Sequence, residues 1–549
     1  MSSQSGALGL AIIEYARELG LGLSSFVSVG NKADVSGNDL IQYWEDDPDT
    51  SLILLYLESF GNPRRFARLA RRVARKKPIL AVKSGRSSAG RRAAGSHTAA
   101  LAASDVATAA LFKQAGVIRV DTLEEMFEVA SFLAHQPIPA GNRVAILTNA
   151  GGPGILCADA CEAAGLELPD LSDEAQAALR AFLPPTASVT NPVDMIASAG
   201  AEDYERALPI LLDDPSVDAV ITIFIPTGIA DTERVSASIK AGRQRARTGR
   251  SKPLLACFMG HQGMTSPLAD AREAVPSYRF PESAARALGK AAEYGTWLRR
   301  PHGVIPLLDG TDVKRARAVC DKVLTERGDG WLLPDEVNEI LDAFSVPRAP
   351  SRLCRTAAEA AAAARELGFP VAVKLASATL VHKTEWKGVH LDLDSPAAVE
   401  AAFRRIAQAL EAAGRLDAMA GVTVQPMVKD GVEVMIGVTE DPSFGPLVAF
   451  GLGGVTVELL GDVVFRITPL TDQDAVEMVR GIRGYKLLDG YRGAPKADQQ
   501  ALVDILLRVS HLVEEVPQVA ELDFNPVKVL DEGRGAVVLD ARVMVRLDR

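Results

Sequence analysis

The sequence predicts an α/β protein in which two doubly wound parallel-sheet units precede a third, different α/β unit. Short apolar runs alternate with amphipathic helical runs over the first 300 residues, as they do in parallel sheets covered by helices. The alternation restarts near Arg143, and a mixed, charged stretch at 301–331 separates the second unit from the third. A chain of 549 residues is also long enough for three or four domains of roughly 150 residues each.

The first unit is predicted to comprise residues 1–137. Apolar residues recur at helical spacing from Ala7 to Leu19, and two further helical patterns follow at 39–44 and 63–75. Strands buried on both faces have continuous apolar runs, and such runs lie at 25–29, 52–57 and 79–82. The sequence PIPAG that begins at Pro137 is a plausible boundary.

The second and third units are predicted to comprise residues 138–300 and 333–549. The second opens with RVAILTNAGGPGILCADACEAAGL, a strand, a glycine-rich turn and a helix, and later strands lie in DAVITIFIPT and PLLACFMG. Residues 301–332 are predicted to be a linker with one helix. The third unit contains an alanine-rich helix at 357–367, followed by elements typical of βαβ units and hairpins.

Composition excludes several classes of protein. The formal net charge of -10 argues against a nucleic-acid-binding protein, which needs a basic face. Five scattered cysteines favour a reducing, cytoplasmic setting over a disulfide framework or a zinc site. No run of about 18 apolar residues predicts a membrane span, and the first residues lack the basic region of a signal peptide.

A phosphate site is predicted at the start of the first helix. Ser3, Ser5, Gly6 and Ala7 lie in the sequence SQSGAL, immediately before a helical run. A helix start leaves backbone N–H groups free, and the helix dipole adds partial positive charge there. These residues are therefore predicted to bind phosphate through the backbone. An ordinary N-cap is the alternative interpretation.

A histidine lies in a long loop of glycine, serine and arginine that follows the apolar run at 79–82. A neutral imidazole is a good nucleophile towards phosphorus near neutral pH, and this basic loop could present His97 to an anion. A surface loop with an incidental histidine is the alternative.

The loop sequence KSGRSSAGRRAAGSHTAALAASD resembles the active-site loop of the ADP-forming acetyl-CoA synthetases and the related succinyl-CoA synthetases. SQSGALG and VGNKADV resemble the same family. The resemblance implies that His97 carries a phosphoryl group between two sites and that Glu58, in LYLES, hydrogen-bonds its imidazole. A carboxylate on one ring nitrogen fixes the tautomer and raises the basicity of the other nitrogen. A surface charge at a strand end is the alternative for Glu58.

Two motifs of the second unit each allow two interpretations. NAGGPG at 149–154 lies at a strand-to-helix turn, where doubly wound folds bind ligands. The acidic residue of a dinucleotide site does not follow at the usual spacing. NPVD at 191–194 resembles a segment of the family's flavodoxin-like domain. A binding role and tight packing at the sheet edge remain alternatives for both motifs.

The third unit carries motifs for a nucleotide. Lys374 is a single cation in the apolar run PVAVKL, which is costly unless it meets an anion such as the phosphates of ATP. This strand is followed by QPMV at 425–428 and, near the end of the chain, by LDFNP and LDAR. That order of motifs resembles the ATP-grasp domain of the same synthetases. The resemblance implies that Gln425, Met427 and Val428 hold the adenine and that Glu433 contacts the nucleotide.

Further residues of this unit are predicted to handle metal and phosphate. Asn525 and Asp540 supply oxygen ligands on two neighbouring strands, which suits Mg²⁺ together with substrate phosphates. The resemblance implies that Asp523 helps to hold the phosphohistidine at the nucleotide site. It also implies that His382, in LVHKTEWKGVHL, is a second phosphate relay. A hydrogen-bonded loop histidine is the alternative for His382.

The resemblance implies two flavodoxin-like domains followed by an ATP-grasp domain. The implied activity converts a carboxylic acid, CoA and ATP into acyl-CoA, ADP and phosphate, with Mg²⁺, in a protein that forms a homo-oligomer or pairs with a separate CoA-binding chain. The family pattern normally begins with a CoA-binding domain, whereas here Met1 falls on the phosphate-binding helix. We therefore expect that domain to be missing or to lie on another chain. A truncated synthetase that only phosphorylates itself and a ligand-sensing module of a protein acetyltransferase system remain alternatives.

Overall fold

The computed structural model describes residues 1–30, 34–87, 105–226, 232–259, 268, 274–380, 383–453 and 461–547. The chain divides into two compact units. The first comprises Met1–Asp105 and Leu111–Arg300, and the second comprises Val106–Ala110 and Pro301–Arg549. In the described part of the chain, no helix is long and apolar enough to cross a membrane.

The first unit contains a five-stranded sheet in which all paired strands are parallel. Its strands are β1 (Ser2–Ser3), β2 (Val27–Ser28), β3 (Ile53–Leu57), β4 (Ile79–Lys83) and β5 (Ile118–Val120). Its helices are α1 (Gly6–Glu18), α2 (Gly37–Asp46), α3 (Pro63–Val73), α4 (Asp105–Ala115) and α5 (Leu123–His135). The strand order β2-β1-β3-β4-β5 is that of a flavodoxin-like fold, in which ligands bind where the strand order reverses.

A second parallel sheet in the same unit repeats this order as β10-β9-β8-β6-β7. Its strands are β6 (Val144–Thr148), β7 (Val193–Asp194), β8 (Ala219–Phe224), β9 (Leu254–Phe258) and β10 (Ser277–Tyr278). Its helices are α6 (Gly151–Ala163), α7 (Asp173–Arg180), α8 (Ala201–Asp213), α9 (Thr232–Arg245) and α10 (Pro281–Arg299). Every residue of β6, β8 and β9 is buried, as the continuous apolar runs predicted.

The second unit contains two antiparallel sheets. The smaller has the order β12-β15-β13-β14, with β12 (Arg352–Cys354), β13 (Val371–Ala376), β14 (Val389–Leu393) and β15 (Gly421–Pro426). The larger has the order β11-β21-β19-β16-β17-β18, and β20 pairs with β19. Its strands are β11 (Gly330–Trp331), β16 (Val432–Asp441), β17 (Gly445–Leu452), β18 (Val463–Ile467), β19 (Val519–Val529), β20 (Ala536–Val538) and β21 (Ala541–Val545).

Helices accompany these two sheets and complete the predicted α/β fold class, which is confirmed. The α-helices are α11 (Val313–Arg327), α12 (Pro334–Ala343), α13 (Ala357–Leu367), α14 (Pro396–Ala412), α15 (Asp472–Arg480), α16 (Tyr485–Leu488) and α17 (Gln499–Glu515). Two 3₁₀ turns lie at Leu416–Ala418 and Tyr491–Gly493. One core packs α11, α12 and α17 against the larger sheet, and a separate core packs α13 and α14 against the smaller sheet.

Candidate functional site

The start of α1 is an open helix end. Ser3 is fully buried at the end of β1, and its hydroxyl donates to the Ser5 carbonyl oxygen at 2.8 Å and accepts from the Ser5 N–H at 3.2 Å. Ser5 is the N-cap residue, but its side chain forms no capping hydrogen bond. Gly6 and Ala7, the first residues of the helix, are exposed. No side-chain cap therefore occupies the first-turn N–H groups, a geometry that suits the predicted anion site.

Gln4 fixes Glu58 beside this helix start. The Gln4 Oε1 atom accepts from the N–H groups of Glu58 at 2.7 Å and Ser59 at 2.9 Å, and its Nε2 donates to the Ser59 carbonyl oxygen at 2.7 Å. Gln4 directly follows β1 and Glu58 directly follows β3, and these two strands are adjacent where the strand order reverses. The predicted phosphate site and the predicted carboxylate therefore lie together, whereas His97 lies outside the described residues.

The second parallel sheet uses the same arrangement with Asn149. The Asn149 Oδ1 accepts from the Ile225 N–H at 2.9 Å, and its Nδ2 donates to the Ile225 carbonyl oxygen at 2.8 Å. This contact joins the carboxyl ends of β6 and β8, again where the strand order reverses. The following helix, α6, begins at exposed Gly151 after Ala150, which has no side chain that could cap it.

Asn191 has a packing role. Its Oδ1 accepts from the Ile146 N–H at 3.0 Å, and its Nδ2 donates to the carbonyl oxygens of Val144 at 2.8 Å and Pro169 at 3.1 Å. These bonds satisfy backbone groups at the edge of β6. The structure thus favours packing for the motif at 191–194, while the motif at 149–154 combines packing at Asn149 with an open helix start.

A cleft of about 880 Å³ in the second unit collects the predicted nucleotide residues. Strands of both antiparallel sheets contribute to its walls. The predicted residues that line it are Lys374, Gln425, Met427, Val428, Glu433, Asp523, Asn525 and Asp540. Every residue that the sequence analysis proposed for ATP or metal thus faces one cavity, although the nucleotide itself remains a proposal. His382 lies outside the described residues.

Lys374 is held in the cleft by a backbone carbonyl and by charge. Its Nζ donates to the Leu539 carbonyl oxygen at 2.9 Å, and the residue is 7% exposed. Burial lowers the pKa of Lys374; the Asp540 carboxylate opposes that change, and Lys383 adds to it. A desolvated ammonium with few acceptors is a strong partner for a phosphate oxygen.

Asp540 is the ionised partner of two lysines. Burial raises the pKa of Asp540, but the positive charges of Lys383 and Lys374 outweigh burial and hold that pKa below its ordinary value. The Lys383 Nζ lies 2.6 Å from the Asp540 Oδ1. A carboxylate that stays ionised can bind a divalent cation without first losing a proton.

Asn525 and Asp540 fit a magnesium ion that also binds phosphate. The Asn525 N–H donates to the Asp540 carbonyl oxygen at 3.1 Å, so the two residues are neighbours on adjoining segments. The described residues hold no group of three or more His, Cys, Asp or Glu side chains suited to a metal. The oxygen ligands of two residues suit Mg²⁺, which takes one or two carboxylates and completes its shell with water and substrate phosphates.

Four cations of the cleft were not singled out from the sequence: Lys383, Lys429, Lys528 and Arg542. The Lys528 Nζ lies 3.3 Å from the Glu433 carboxylate. Glu433, which is predicted to contact the nucleotide, thus already forms an ion pair with Lys528. Lys383 directly follows His382, and Lys528 lies on the same strand as Asn525. Both could have been found by asking which cations accompany the acidic motifs.

Three family descriptions match successive parts of the chain. Residues 1–133 match a succinyl-CoA ligase like flavodoxin domain, and residues 144–284 match a ligase-CoA domain. Residues 323–545 match an ATP-grasp domain. The first two matches coincide with the two parallel sheets, and the third contains the cleft.

Several curated proteins are similar to nearly the whole chain. The acetate–CoA ligase [ADP-forming] I of Archaeoglobus fulgidus is 38% identical over 536 residues, which cover 97% of this chain and 76% of that protein. The 4-hydroxybutyrate–CoA ligase [ADP-forming] of Nitrosopumilus maritimus is 36% identical over 544 residues, with 98% and 77% covered. The chain thus spans about three quarters of the length of these relatives.

Separate subunits and solved structures are also similar. The beta subunit of acetate–CoA ligase [ADP-forming] II from Pyrococcus furiosus is 41% identical over 232 residues, 42% of this chain and 98% of that subunit. The dinucleotide forming acetyl-coenzyme A synthetase 1 of Ca. Korarchaeum cryptofilum, solved in complex with phosphate and ADP, is 33% identical with a TM-score of 0.51. That comparison covers 54% of this chain and 64% of the solved chain.

Proposed function

The chain belongs to the family of ADP-forming acyl-CoA synthetases, and from this premise we propose that its cleft donates a phosphoryl group that the start of α1 later receives. The protein is an acid–thiol ligase that uses ATP, Mg²⁺ and CoA. The convergence of the seven predicted nucleotide and metal residues, together with Asp523, on one cleft carries the proposal. We propose domains at 1–137, 138–300 and 333–549, an order that the three family matches support. Within the predicted linker at 301–332, α11 and β11 pack with the larger sheet, so this stretch joins the third domain.

In the cleft, Lys374 binds the phosphates of ATP, because its buried ammonium has only one carbonyl acceptor among the described residues. Gln425, Met427 and Val428 surround the adenine, and Glu433 contacts the nucleotide from the next strand. Asn525 and Asp540 would hold Mg²⁺, which offsets negative charge on the phosphates when it is bound.

The phosphoryl group passes to His97 with Asp523 beside it. A ring nitrogen lone pair attacks the γ-phosphorus, the bond from phosphorus to the bridging oxygen breaks, and ADP leaves with that electron pair. At the first unit, Glu58 holds the other ring nitrogen, and the backbone N–H groups of α1 stabilise the phosphate. A carboxylic acid then accepts the phosphoryl group, and the CoA thiol displaces phosphate from the acyl phosphate.

The acceptor is proposed to be a short carboxylic acid, since relatives of similar identity are named for acetate and for 4-hydroxybutyrate. Because the protein has a net charge of -10, anionic substrates need a local cluster of positive charge. The cationic residues of the cleft supply one.

Incubation with γ-³²P-labelled ATP and Mg²⁺ tests the phosphoryl route. We expect acid-labile, base-stable labelling of the wild-type protein, and in His97→Ala we expect none beyond the label that His382 would hold if it is a relay. His302→Ala is the matched control, because His302 is exposed and lies outside both proposed sites. Equal labelling of a variant with both His97→Ala and His382→Ala would exclude His97 as the carrier. ATP binding without any label in the wild type would favour the ligand-sensing alternative.

His382→Ala separates direct transfer from a relay. If His382 relays the phosphoryl group, ATP should not label His97 in this variant. Direct transfer requires labelling of residue 97 at a rate close to that of the wild type. Mapping the phosphopeptide at high pH, where phosphohistidine survives, distinguishes the two results.

A further inference from the structure

A lysine to which the proposed reaction assigns no role is paired with the carboxylate that would hold magnesium. The Lys383 Nζ donates to the Asp540 Oδ1 at 2.6 Å, and the two side chains are 13% and 19% exposed. Both residues line the nucleotide cleft. The pair is thus largely shielded from water, where an ion pair is stronger than it is at an open surface.

A tight turn holds the backbone of Lys383 in place. Its carbonyl oxygen accepts from the N–H groups of Trp386 at 3.2 Å and Gly388 at 2.8 Å. The Gly388 carbonyl oxygen accepts from the Leu375 N–H at 2.7 Å, which ties the turn to β13 beside Lys374. The Trp386 side chain packs against the core of the smaller sheet. The Lys383 ammonium can therefore change its partner by rotation of its flexible side chain alone.

Positive charge already surrounds the Asp540 carboxylate. Besides Lys383, the Lys374 Nζ lies 2.9 Å from the carbonyl oxygen of Leu539, the residue before Asp540. A divalent cation on Asp540 would take the carboxylate from Lys383 and add two more charges beside it. Because a shielded ammonium without a partner is costly, metal binding alone is opposed. The phosphates of a nucleotide would give the displaced ammonium a strong new partner.

We propose that Lys383 is an exchangeable counter-ion, which pairs with Asp540 in the nucleotide-free protein and moves to the nucleotide phosphates when a divalent cation takes that carboxylate. The inference rests on the proposed function, because it requires Asp540 to bind the metal and the cleft to bind the phosphates. Metal and nucleotide then each strengthen the binding of the other. The cleft thereby selects the metal–nucleotide complex over the free metal ion.

Mn²⁺ binding to the nucleotide-free protein, measured by electron paramagnetic resonance, tests the first half of the exchange. We expect Lys383→Met to bind free Mn²⁺ about tenfold or more tightly than wild type, because a hydrogen bond between charged groups no longer has to be broken. Lys383→Arg keeps the positive charge, and its affinity for free Mn²⁺ should stay within about threefold of wild type.

Lys528→Met is the matched control for the loss of a positive charge from the cleft. Lys528 lines the same cleft and its side chain is 12% exposed, but its Nζ lies 3.3 Å from the Glu433 carboxylate. This variant loses the same charge without releasing Asp540. Its affinity for free Mn²⁺ should rise by less than about threefold, since charges that are not in contact are screened.

MnADP binding, measured by isothermal titration calorimetry, tests the second half of the exchange. Wild-type Lys383 loses its contact with Asp540 but gains one with the phosphates, whereas Lys383→Met has neither contact. The MnADP affinity of Lys383→Met should therefore equal that of wild type within about threefold, or fall below it. The gain in metal affinity is expected only without nucleotide.

Three results would overturn the proposal. The first is a free Mn²⁺ affinity in Lys383→Met that equals or falls below that of wild type, and the second is an equal gain in Lys528→Met. The third is a gain in MnADP affinity as large as the gain for free Mn²⁺, because Lys383 would then compete for Asp540 without moving to the phosphates. A wild-type protein that binds no MnADP overturns the proposed function instead.

Discussion

Replacement of Lys374 by methionine should weaken nucleotide binding without weakening the fold. Methionine keeps the apolar stem of the side chain and removes the ammonium, whose Nζ lies 2.9 Å from the Leu539 carbonyl oxygen. A hydrogen bond to a charged group contributes about 1.5–3 kcal/mol. At 1.4 kcal/mol per factor of ten, the dissociation constant for MgADP should rise by about 10- to 150-fold.

The free energy of unfolding of Lys374→Met should rise or stay unchanged, although its affinity for nucleotide falls. Replacement of a buried charge by an apolar side chain of similar size is often neutral or stabilises by about 1–4 kcal/mol, and Asp540 keeps its contact with Lys383. Because burial lowers the folded-state pKa of Lys374, its ammonium reduces the free energy of unfolding below that pKa. The stability advantage of the variant should therefore shrink as pH rises and vanish above the pKa of the unfolded chain, about 10.4.

Isothermal titration calorimetry gives the affinity, and urea unfolding at pH 7 gives the stability. Lys429→Met is the control, since this exposed lysine lines the same cleft and its Nζ lies 3.5 Å from Asp392. An exposed ion pair contributes about 0.2–1 kcal/mol, so a loss of affinity below about fivefold is expected. Unchanged MgADP affinity in Lys374→Met would refute the assignment of this lysine to the phosphates.

Three other substitutions test separate parts of the structure. Asp540→Asn should weaken Mn²⁺ binding, measured by electron paramagnetic resonance, by about tenfold or more, because a charged ligand is lost; unchanged Mn²⁺ affinity would exclude Asp540 as a ligand. Asn191→Ala removes three hydrogen bonds to backbone groups, and its free energy of unfolding in urea should fall by about 2–3 kcal/mol; a fall below about 0.5 kcal/mol would contradict this role. Burial raises the pKa of Asp218, but its hydrogen bonds and ion pair with Arg143 outweigh burial and hold that pKa below its usual value. Asp218→Asn should thus cost about 1–2 kcal/mol at pH 7, since Arg143 is partly exposed. That difference should fade as pH falls below about 4, towards the folded-state pKa; a difference that persists at pH 2 would refute the electrostatic explanation.

The parallel sheets could be predicted because their strands are buried on both faces. Such strands are continuous apolar runs, and the runs at 52–57 and 79–82 correspond to β3 and β4. The glycine-rich turn at 149–154 marked the start of α6, and the sequence SQSGAL marked the start of α1, although β1 before it was not predicted. Local composition was sufficient for these elements because it determines both burial and turn geometry.

Contacts between distant strand ends could not be predicted in the same way. Gln4 is an ordinary polar residue in the sequence, and its importance depends on the register that puts it beside Glu58. Lys383 is similar, since its contact with Asp540 spans 157 positions in the chain. Resemblance to a family supplied most of the nucleotide residues, but not the cations that balance their charge.

One amide side chain in each parallel sheet fastens a helix start to the end of the neighbouring strand. Gln4 and Asn149 thereby fix segments that are neighbours in the sheet but lie 54 and 76 positions apart in the chain. Any exchange of the loops beyond these strands should preserve both amides. A loop that replaces either one would free the start of α1 or α6 from the neighbouring strand.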